Sequence, residues 1–238
     1  SISGQGIVGT LMLTIGGSVI FPYIIAEGLY YAFASDAGAL APGTLPFWAA
    51  LFSFIILGER PSKLKLCGLI FILAGALSVG LWQSLAFQNT QEWKGHLLFV
   101  LAACLWSIYS IYYRKSGLSP LHGLVIGLFW GAAVALPILL IFGEIDFSNK
   151  TAVEITSMAL LQGILIAVVA LVLYSIAIRE IGASQTAAFG ALTPILSLIG
   201  GFILLNEAVF FNKTFGIILV TSGVVMASGI FERKSKNA

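Results

Sequence analysis

The sequence predicts an all-α, multi-pass membrane protein, because its composition, its long apolar stretches and its charge distribution all indicate that class. Of the 238 residues, 59% are hydrophobic and only 9% are charged, whereas soluble domains carry about 25% charged residues. The mean hydropathy of +1.02 places most of the chain in lipid. These values exclude a soluble globule, a disordered chain and a collagen-like repeat. The net charge of +2 gives no indication of a nucleic-acid partner.

Eight apolar stretches are long enough to cross a bilayer, which takes about 20 residues. Strands of a membrane barrel would be about 10 residues long with alternating polarity. The stretches here are longer and apolar on every side, so they predict helices. The predicted spans cover about residues 6–32, 36–57, 64–82, 95–113, 121–142, 155–178, 183–205 and 211–231.

The basic residues are divided unequally between the two sets of alternating loops. Nine of the twelve Lys and Arg residues fall on one side and three on the other. The positive-inside rule makes the basic side cytoplasmic, so both ends of this chain are expected to face the cytoplasm. Most acidic residues of the loops fall on the opposite side, which supports the count of eight spans.

Two stretches of the chain match each other when the sequence is shifted by 148 residues. Pro46 then meets Pro194 and Glu59 meets Glu207, and ten identities occur over the 37 positions from residue 39 to residue 75. A chain of this composition would give about three or four identities by chance. Five spans, an odd number, separate the two copies, so equivalent loops face opposite sides of the membrane. Such an inverted-topology repeat is typical of secondary transporters that work by alternating access.

The repeat divides the chain into two unequal parts. Residues 1–83 hold three spans of the first repeat, residues 84–94 form a linker, and residues 95–231 hold the five spans of the second repeat. Residues 232–238 form a basic cytoplasmic tail. Because the second part has two more spans than the first, we expect a 5+5 parent bundle of ten helices, with about two helices missing ahead of residue 1.

The series of Pro46, Glu59, Gly68 and Gly75 resembles the signature that closes each half of EamA-type members of the drug/metabolite transporter superfamily. The second copy, within residues 194–223, is similar to it as well, and the resemblance covers nearly the whole chain. It implies a carrier of the cell inner (plasma) membrane with two five-helix repeats around a central cavity. It also implies efflux of amino acids, drugs or other small metabolites, without specifying the substrate.

Glu27 is an acidic residue well inside a predicted span, where a charge costs about 3 kcal/mol. Tyr23, Tyr30 and Tyr31 share its helix face, and Pro22 can open the backbone hydrogen bonding before them. We interpret Glu27, Tyr23 and Tyr30 as candidate substrate-binding residues, with Glu27 binding a cationic group or taking up a coupling proton. The alternative is a glutamate near the outer interface among belt tyrosines.

Further substrate-binding candidates lie in three other spans. Trp106, Tyr109 and Ser110 share a face of the fourth span, where aromatic rings can bound a cavity or stack on a substrate. Trp48 and Thr193 lie beside the motif prolines of the second and seventh spans, and transporters place substrates at broken helices. Thr193 belongs to a stripe of small and polar residues at helical spacing, with Thr186, Gly190, Ser197 and Gly201. The alternative role of this stripe is close helix packing.

The residues that recur in the two motif copies are expected to have structural roles. The glycines favour close contact between helices. The glutamates sit at span ends, and their symmetry suggests that each caps the helix that follows it. The predicted structural motif consists of Pro46, Glu59, Gly68, Gly75, Pro194, Glu207, Gly216 and Gly223.

The sequence contains no catalytic constellation, no cluster of metal-ligating residues and no phosphate-binding loop, so we expect neither enzyme activity nor a cofactor or metal. The prediction is a secondary transporter whose partners are a small-molecule substrate and membrane lipid, with proton coupling as an option and no nucleic acid. Two alternatives stay open. One is a nucleotide-sugar or lipid-linked carrier of the same fold, and the other is a non-transporting membrane scaffold.

Overall fold

The computed structural model describes residues 7–58, 60–86, 91–116, 118–142, 148–180, 190 and 192–231. All regular structure within these ranges is helical, which confirms the predicted all-α class. Two segments, π1 (Ile15–Val19) and π2 (Ala159–Ala170), are π-helical. The α-helices are α1 (Ile7–Thr14), α2 (Ile20–Leu29), α3 (Ala34–Leu57), α4 (Lys63–Ala86), α5 (Glu92–Ser116), α6 (Pro120–Phe142), α7 (Ala152–Met158), α8 (Leu171–Glu180), α9 (Leu192–Leu205) and α10 (Phe211–Ala227).

Five helical stretches of the described chain are long and apolar enough to cross a membrane, judged by length and composition. They are Gly9–Leu29, Ala34–Ile55, Glu92–Tyr113, Leu121–Ile141 and Ala152–Ala170, and two shorter apolar helices, α9 and α10, follow them. With α4, which has 24 residues, these segments occupy the positions of the eight predicted spans. The chain is therefore a polytopic α-helical membrane protein.

The first membrane segment changes its helical winding at π1, directly before Pro22. A proline inside a helix has no N–H to donate, and its ring clashes with the carbonyl four residues earlier, which here belongs to Ser18. The wider π turn accommodates that lost hydrogen bond, and single π turns are frequent at functional sites. The segment therefore continues as α2 with a local irregularity at Ser18.

Helix α3 occupies the centre of the described bundle. It packs between α5 and α9 and also touches α4 and α10. Its buried residues Ala39 and Leu40 share a core cluster with Phe99 of α5 and Ile217 of α10. The helix ends at Gly58, which takes a left-handed φ of +69° and donates its N–H to the carbonyl of Phe54. Glycine adopts that conformation without a steric penalty.

Helices α4 and α10 cross backbone to backbone through the four motif glycines. A Cβ built on Gly75 would lie 2.6 Å from the carbonyl oxygen of Gly216, and one on Gly216 would lie 2.8 Å from that of Gly75. Gly68 and Gly223 show the same reciprocal relation, at 2.7 and 2.6 Å. Only glycine fits at such distances, so the small residues set how closely the helices approach.

Candidate functional site

A cavity of about 630 Å³ lies where π1, α2, α5, α6 and π2 meet. We call it the aromatic cavity, because rings of Phe21, Trp106 and Tyr109 form part of its wall. The Trp106 ring centroid lies 4.6 Å from that of Phe21 and 5.0 Å from that of Tyr109. Trp106 therefore bridges the first membrane segment and α5.

Glycines allow the segments around the aromatic cavity to approach closely. A Cβ on Gly17 would lie 2.7 Å from the ring of Tyr109, so a larger residue in π1 would push the ring away. A Cβ on Gly127 of α6 would lie 2.8 Å from Oγ of Ser18. Gly127 and Gly131 thus seat π1 against α6 and bring the Ser18 hydroxyl to the cavity wall, whereas Gly123 lies against the ring of Tyr113 in α5.

The chemistry of the aromatic cavity is apolar with a few hydrogen-bonding groups. None of its fourteen described lining residues carries a charge. The polar side chains in the wall belong to Ser18, Gln162, Tyr109 and Trp106. Binding sites for small molecules are commonly built this way, with aromatic walls and a few polar groups that orient the ligand.

Only part of the predicted substrate-binding set lies at this cavity. Trp106 and Tyr109 line it, and the Ser110 hydroxyl donates a hydrogen bond to the Trp106 carbonyl at 2.7 Å. Tyr23 and Tyr30 are 66% and 84% exposed and lie outside the lining. Thr193, at the start of α9, is likewise exposed and outside it. A binding role for each of these residues stays a prediction.

Glu27 lies two residues before the end of α2 and is half-buried. Its Oε1 accepts a weak hydrogen bond of 3.4 Å from the hydroxyl of Tyr31, one turn further along. It does not belong to the lining of the aromatic cavity. This geometry favours the interfacial alternative for Glu27, while its effect on transport stays a prediction.

Trp48 faces a second cavity, a groove of about 360 Å³ between α3, α4 and α5. Its indole stacks on Phe52 at 5.9 Å and meets Phe47 edge-on at 5.4 Å. The indole Nε1 is buried without a hydrogen-bond partner among the described residues. Trp48 and Trp106 therefore line different cavities.

Sequence reasoning did not identify Ser18, Phe21 and Gln162 as lining residues. A signal existed for Ser18, because Pro22 four residues later deprives its carbonyl of a helical hydrogen bond. No signal of that kind marks Gln162, which reaches the wall from π2. Its position in the wall depends on where the fold places π2, none of whose residues is buried.

A buried cluster of charges joins the ends of α3, α5, α9 and α10. Nζ of Lys213 lies 2.9 Å from Oδ1 of Asp36, and Nε2 of His96 lies 3.2 Å from Oδ2 of the same carboxylate. Nζ of Lys213 is also 3.8 Å from Oε2 of Glu207. All four side chains are at least nine-tenths buried. With Ser35, which donates its hydroxyl to Glu207, they form what we call the charge cluster.

Glu207 caps α3, not the helix that follows it, so the predicted capping role was assigned to the wrong helix. Its carboxylate accepts the backbone N–H groups of Ala34 at 2.8 Å and Ser35 at 3.2 Å. The N-cap residue of α3, Phe33, has no side chain that can accept them, and the first N–H groups of a helix have no partner within it. A carboxylate there also interacts favourably with the helix dipole. Glu59, the equivalent glutamate, lies outside the described residues.

The turn after α9 positions the Glu207 carboxylate. Asn206 takes a left-handed φ of +53°, a conformation that asparagine tolerates better than most residues. The N–H of Glu207 then donates to the carbonyl of Gly201 at 3.0 Å. A Cβ on Gly201 would contact Oε2 of Glu207 and lie 3.0 Å from its Cδ. Gly201 thus leaves the space that the carboxylate fills.

Gly201→Ala is expected to displace the Glu207 carboxylate and weaken the cap of α3, at a cost of about 1 to 2 kcal/mol of stability. The melting temperature of the detergent-purified protein measures this loss of stability. Gly200→Ala is the matched control, because a Cβ there would meet no described atom within 4 Å. Equal melting temperatures for the two variants would contradict the assignment.

A multi-pass helical bundle with a cavity between its helices is the architecture of a membrane carrier, and comparison with known proteins agrees with that class. The EamA-like transporter family model matches residues 2–81 and 93–229. The chain belongs to the EamA-like transporter family. Membership in this family indicates a transporter and not an enzyme.

Similar proteins from bacteria and archaea carry the description of uncharacterized transporters. The transporter YyaM of Bacillus subtilis is 28% identical, over 94% of this chain and 73% of its own length. YcxC of the same organism is 25% identical, over 99% of this chain and 78% of its own. A transporter of Methanothermobacter thermautotrophicus is 29% identical, over 93% of this chain and 62% of its own.

The fold also occurs among solved structures. One crystal structure covers 94% of this chain and 90% of its own, with a TM-score of 0.57 and 21% sequence identity. At that identity the likeness concerns the fold alone.

Proposed function

We propose that this protein is a secondary transporter that exports small metabolites, such as amino acids or drugs, through the aromatic cavity by alternating access. The observation that carries the proposal is the position of this cavity between corresponding segments of the two repeats. Ser18 and Ile166 differ by 148 positions, as do Pro22 and Ala170, and all four line the cavity. The π-helical segments also correspond, since π1 shifted by 148 residues falls within π2.

The crossing of α4 and α10 supports mirrored repeats. Gly68 corresponds to Gly216 and Gly75 to Gly223 under the same shift. In space Gly68 meets Gly223 and Gly75 meets Gly216. Each glycine of α4 therefore meets the counterpart of the other glycine of α4. A two-fold axis between the two helices produces this pattern. An alternating-access carrier needs two such units that can rock about a central site.

The charge distribution supports an orientation in the inner membrane with both ends of this chain in the cytoplasm. In that orientation the charge cluster lies at the outer end of the bundle, where α3, α5 and α10 begin. The aromatic cavity then lies near mid-membrane, because Ser18 and Gln162 fall near the midpoints of the stretches Gly9–Leu29 and Ala152–Ala170. Carriers built from inverted repeats bind their substrates at that depth.

The composition of the cavity wall favours a substrate that buries an uncharged or aromatic portion there. A carrier of nucleotide sugars or lipid-linked phosphates would need cationic side chains to pair with phosphate. The fourteen described lining residues supply none. We therefore expect the substrate to be a small amphipathic or aromatic metabolite and not a phosphorylated one.

Flux into proteoliposomes tests the proposal, with radiolabelled amino acids offered one at a time and empty vesicles as the blank. We expect Trp106→Ala to reduce specific flux about tenfold, equivalent to about 1.4 kcal/mol of lost binding, because the indole bridges two walls of the cavity. Trp130→Ala is the matched control, since Trp130 packs on Phe129 of its own helix and does not line the cavity. Glu27→Gln in the same assay tests the substrate and proton role of Glu27.

The outcomes separate a carrier from a scaffold. Flux above empty vesicles that Trp106→Ala reduces and Trp130→Ala preserves supports the proposal. Failure of every amino acid and of drug and metabolite pools to move in either direction would favour a non-transporting membrane scaffold. If the two tryptophan variants show equal flux, the substrate does not pass through the aromatic cavity.

A further inference from the structure

The charge cluster joins the two repeats at one end of the bundle. Asp36 and Ser35 lie in the first turn of α3, in the first repeat, whereas the other three members belong to the second repeat. The ion pair between Asp36 and Lys213, at 2.9 Å, therefore crosses from one repeat to the other, as does the contact of 3.2 Å between Asp36 and Nε2 of His96. Ser35 donates its hydroxyl across the same boundary to Glu207. All these contacts must break if the repeats separate at this end.

Helices α3 and α9, which belong to different repeats, are in close contact next to the charge cluster. The Ser197 hydroxyl of α9 donates to the carbonyl of Ala34 at 3.2 Å, and a Cβ on Gly38 would overlap the Ser197 side chain. A Cβ on Gly201, one turn further along α9, would lie 3.1 Å from Cβ of Ser35. Small residues thus bring the two helices together in this half of the bundle and leave no room for a substrate between them.

The aromatic cavity lies towards the opposite end of the bundle. Trp106 and Tyr109 fall in the second half of α5, whereas His96 of the charge cluster lies near the start of that helix. Gly123, in the first turns of α6, also lines the cavity and lies against the ring of Tyr113 near the end of α5. Along the bundle axis, the closed contact between the repeats therefore lies between the cavity and the end where α3 begins.

Charged side chains suit a contact that has to open and close. Removing two charges from water costs free energy, and this cost offsets much of the attraction that the charges gain in a buried pair. The closed and open states can therefore lie close in free energy, provided that water hydrates the charges when the contact opens. The same holds for the N–H groups of Ala34 and Ser35, which Glu207 binds in the closed contact and which water can bind in an open one.

We propose that the charge cluster is a gate of the transporter, at the end of the bundle that faces outward in the proposed orientation. The inference rests on the proposed alternating-access function and names the residues that close one side of the substrate path. In this structure the gate is closed. Opening breaks the pairs that Asp36 makes with Lys213 and His96, and it frees the start of α3 from Glu207. Water replaces these partners, and an exported substrate leaves the cavity at this end.

Removing one charge of the pair should open the gate, whereas removing both should close it again. Lys213→Met leaves the carboxylates of Asp36 and Glu207 without their cation, so the open state, in which water hydrates them, becomes favoured. We expect the ratio of open to closed molecules to rise about tenfold or more. Adding Asp36→Asn removes the unpaired aspartate and should return the ratio to within about twofold of the wild type. Lys65→Met, the matched control, should leave the ratio unchanged.

Distances between pairs of spin labels measure this ratio without requiring transport. The two native cysteines are first replaced by serine, so that only the introduced cysteines carry labels. Labels at Leu29→Cys and Phe211→Cys report the separation of the repeats, because both positions are exposed and belong to different repeats at the end that holds the cluster. Labels at Ile70→Cys and Ile218→Cys, also exposed, are the control pair. They lie on α4 and α10, which the motif glycines hold together.

The distances distinguish a gate from a fixed structural cluster. We expect Lys213→Met to add a longer distance between the first two labels, to leave the control pair unchanged, and to lose this effect when Asp36→Asn is added. An unchanged first pair, or a double variant as open as Lys213→Met alone, would overturn the proposal. A change in the control pair would overturn it as well, because the cluster would then hold the whole fold together. If no compound moves in proteoliposomes, the transport function fails, while the label distances still decide whether this end opens.

Discussion

Lys213→Met is expected to destabilise the protein by about 3 to 5 kcal/mol, the usual cost of removing one partner of a buried ion pair. Lys213 is 97% buried, and its ammonium is 2.9 Å from Asp36 and 3.8 Å from Glu207. Methionine would fill the space of the aliphatic stem but leave the Asp36 carboxylate with His96 alone. The expected result is a large fall in the melting temperature of the detergent-purified protein.

A matched control and a double variant separate the charge effect from a packing effect. Lys65→Met changes the lysine that aligns with Lys213 under the shift of 148 residues. Lys65 makes no ion pair with the residues that the structure describes, so this change should have little effect. The double variant with Lys213→Met and Asp36→Asn should recover much of the lost stability, because it leaves no unpaired aspartate. If the double variant is as unstable as the sum of the single variants, the coupling between the two charges is absent.

Gly75→Leu is expected to prevent α4 and α10 from packing, with a loss of about 3 kcal/mol of stability. A Cβ at this position would lie 2.6 Å from the carbonyl oxygen of Gly216 and 2.7 Å from the backbone nitrogen of Val220. Both atoms belong to the backbone of α10 and cannot rotate away as a side chain can. The helices would have to move apart, and their backbone contact would be lost.

The yield of monodisperse protein in detergent and its melting temperature measure this effect. Gly163→Leu is the control, because a Cβ on Gly163 would meet none of the described atoms within 4 Å. Gly216→Leu should reproduce the defect from the opposite helix. Normal yield and melting temperature for Gly75→Leu would show that α4 and α10 do not require this close approach.

The helical class and the positions of the membrane segments could be predicted from the sequence because they depend on local composition. Apolar runs of about 20 residues have few alternatives in lipid. The repeat glycines could be recognised as packing residues for a similar reason, since small residues allow membrane helices to approach. The partner that each glycine meets could not be predicted, because it depends on how α4 crosses α10.

The charge cluster could not be predicted because its members are distant in sequence. Asp36 and His96 are separated by 60 positions, and Asp36 and Lys213 by 177. Read one at a time, Asp36 and Glu207 resemble ordinary loop acids at span ends. A signal did exist, since Lys213 is one of only three basic residues predicted on the acidic side of the membrane, where a buried ion pair accounts for it.

Two of the residues that line the aromatic cavity could be predicted from the sequence, because helical periodicity places them together. Trp106 and Tyr109 share a helix face, which follows from their spacing alone. Glu27 was proposed for the same region because charge inside a span suggests function. The sequence also offered a position near the outer interface, and the end of α2 at Leu29 favours that alternative.

The glycine crossing of α4 and α10 has a mechanical consequence. Gly68, Gly75, Gly216 and Gly223 bring the two backbones together, and side chains of the opposite helix, among them Ile72 and Val220, pack into the space that the glycines leave. Such a contact fixes the separation and the crossing point of the two helices, because backbone atoms cannot rotate away as a side chain can. In the proposed alternating-access mechanism, this crossing is the fixed point about which the two halves of the chain would tilt.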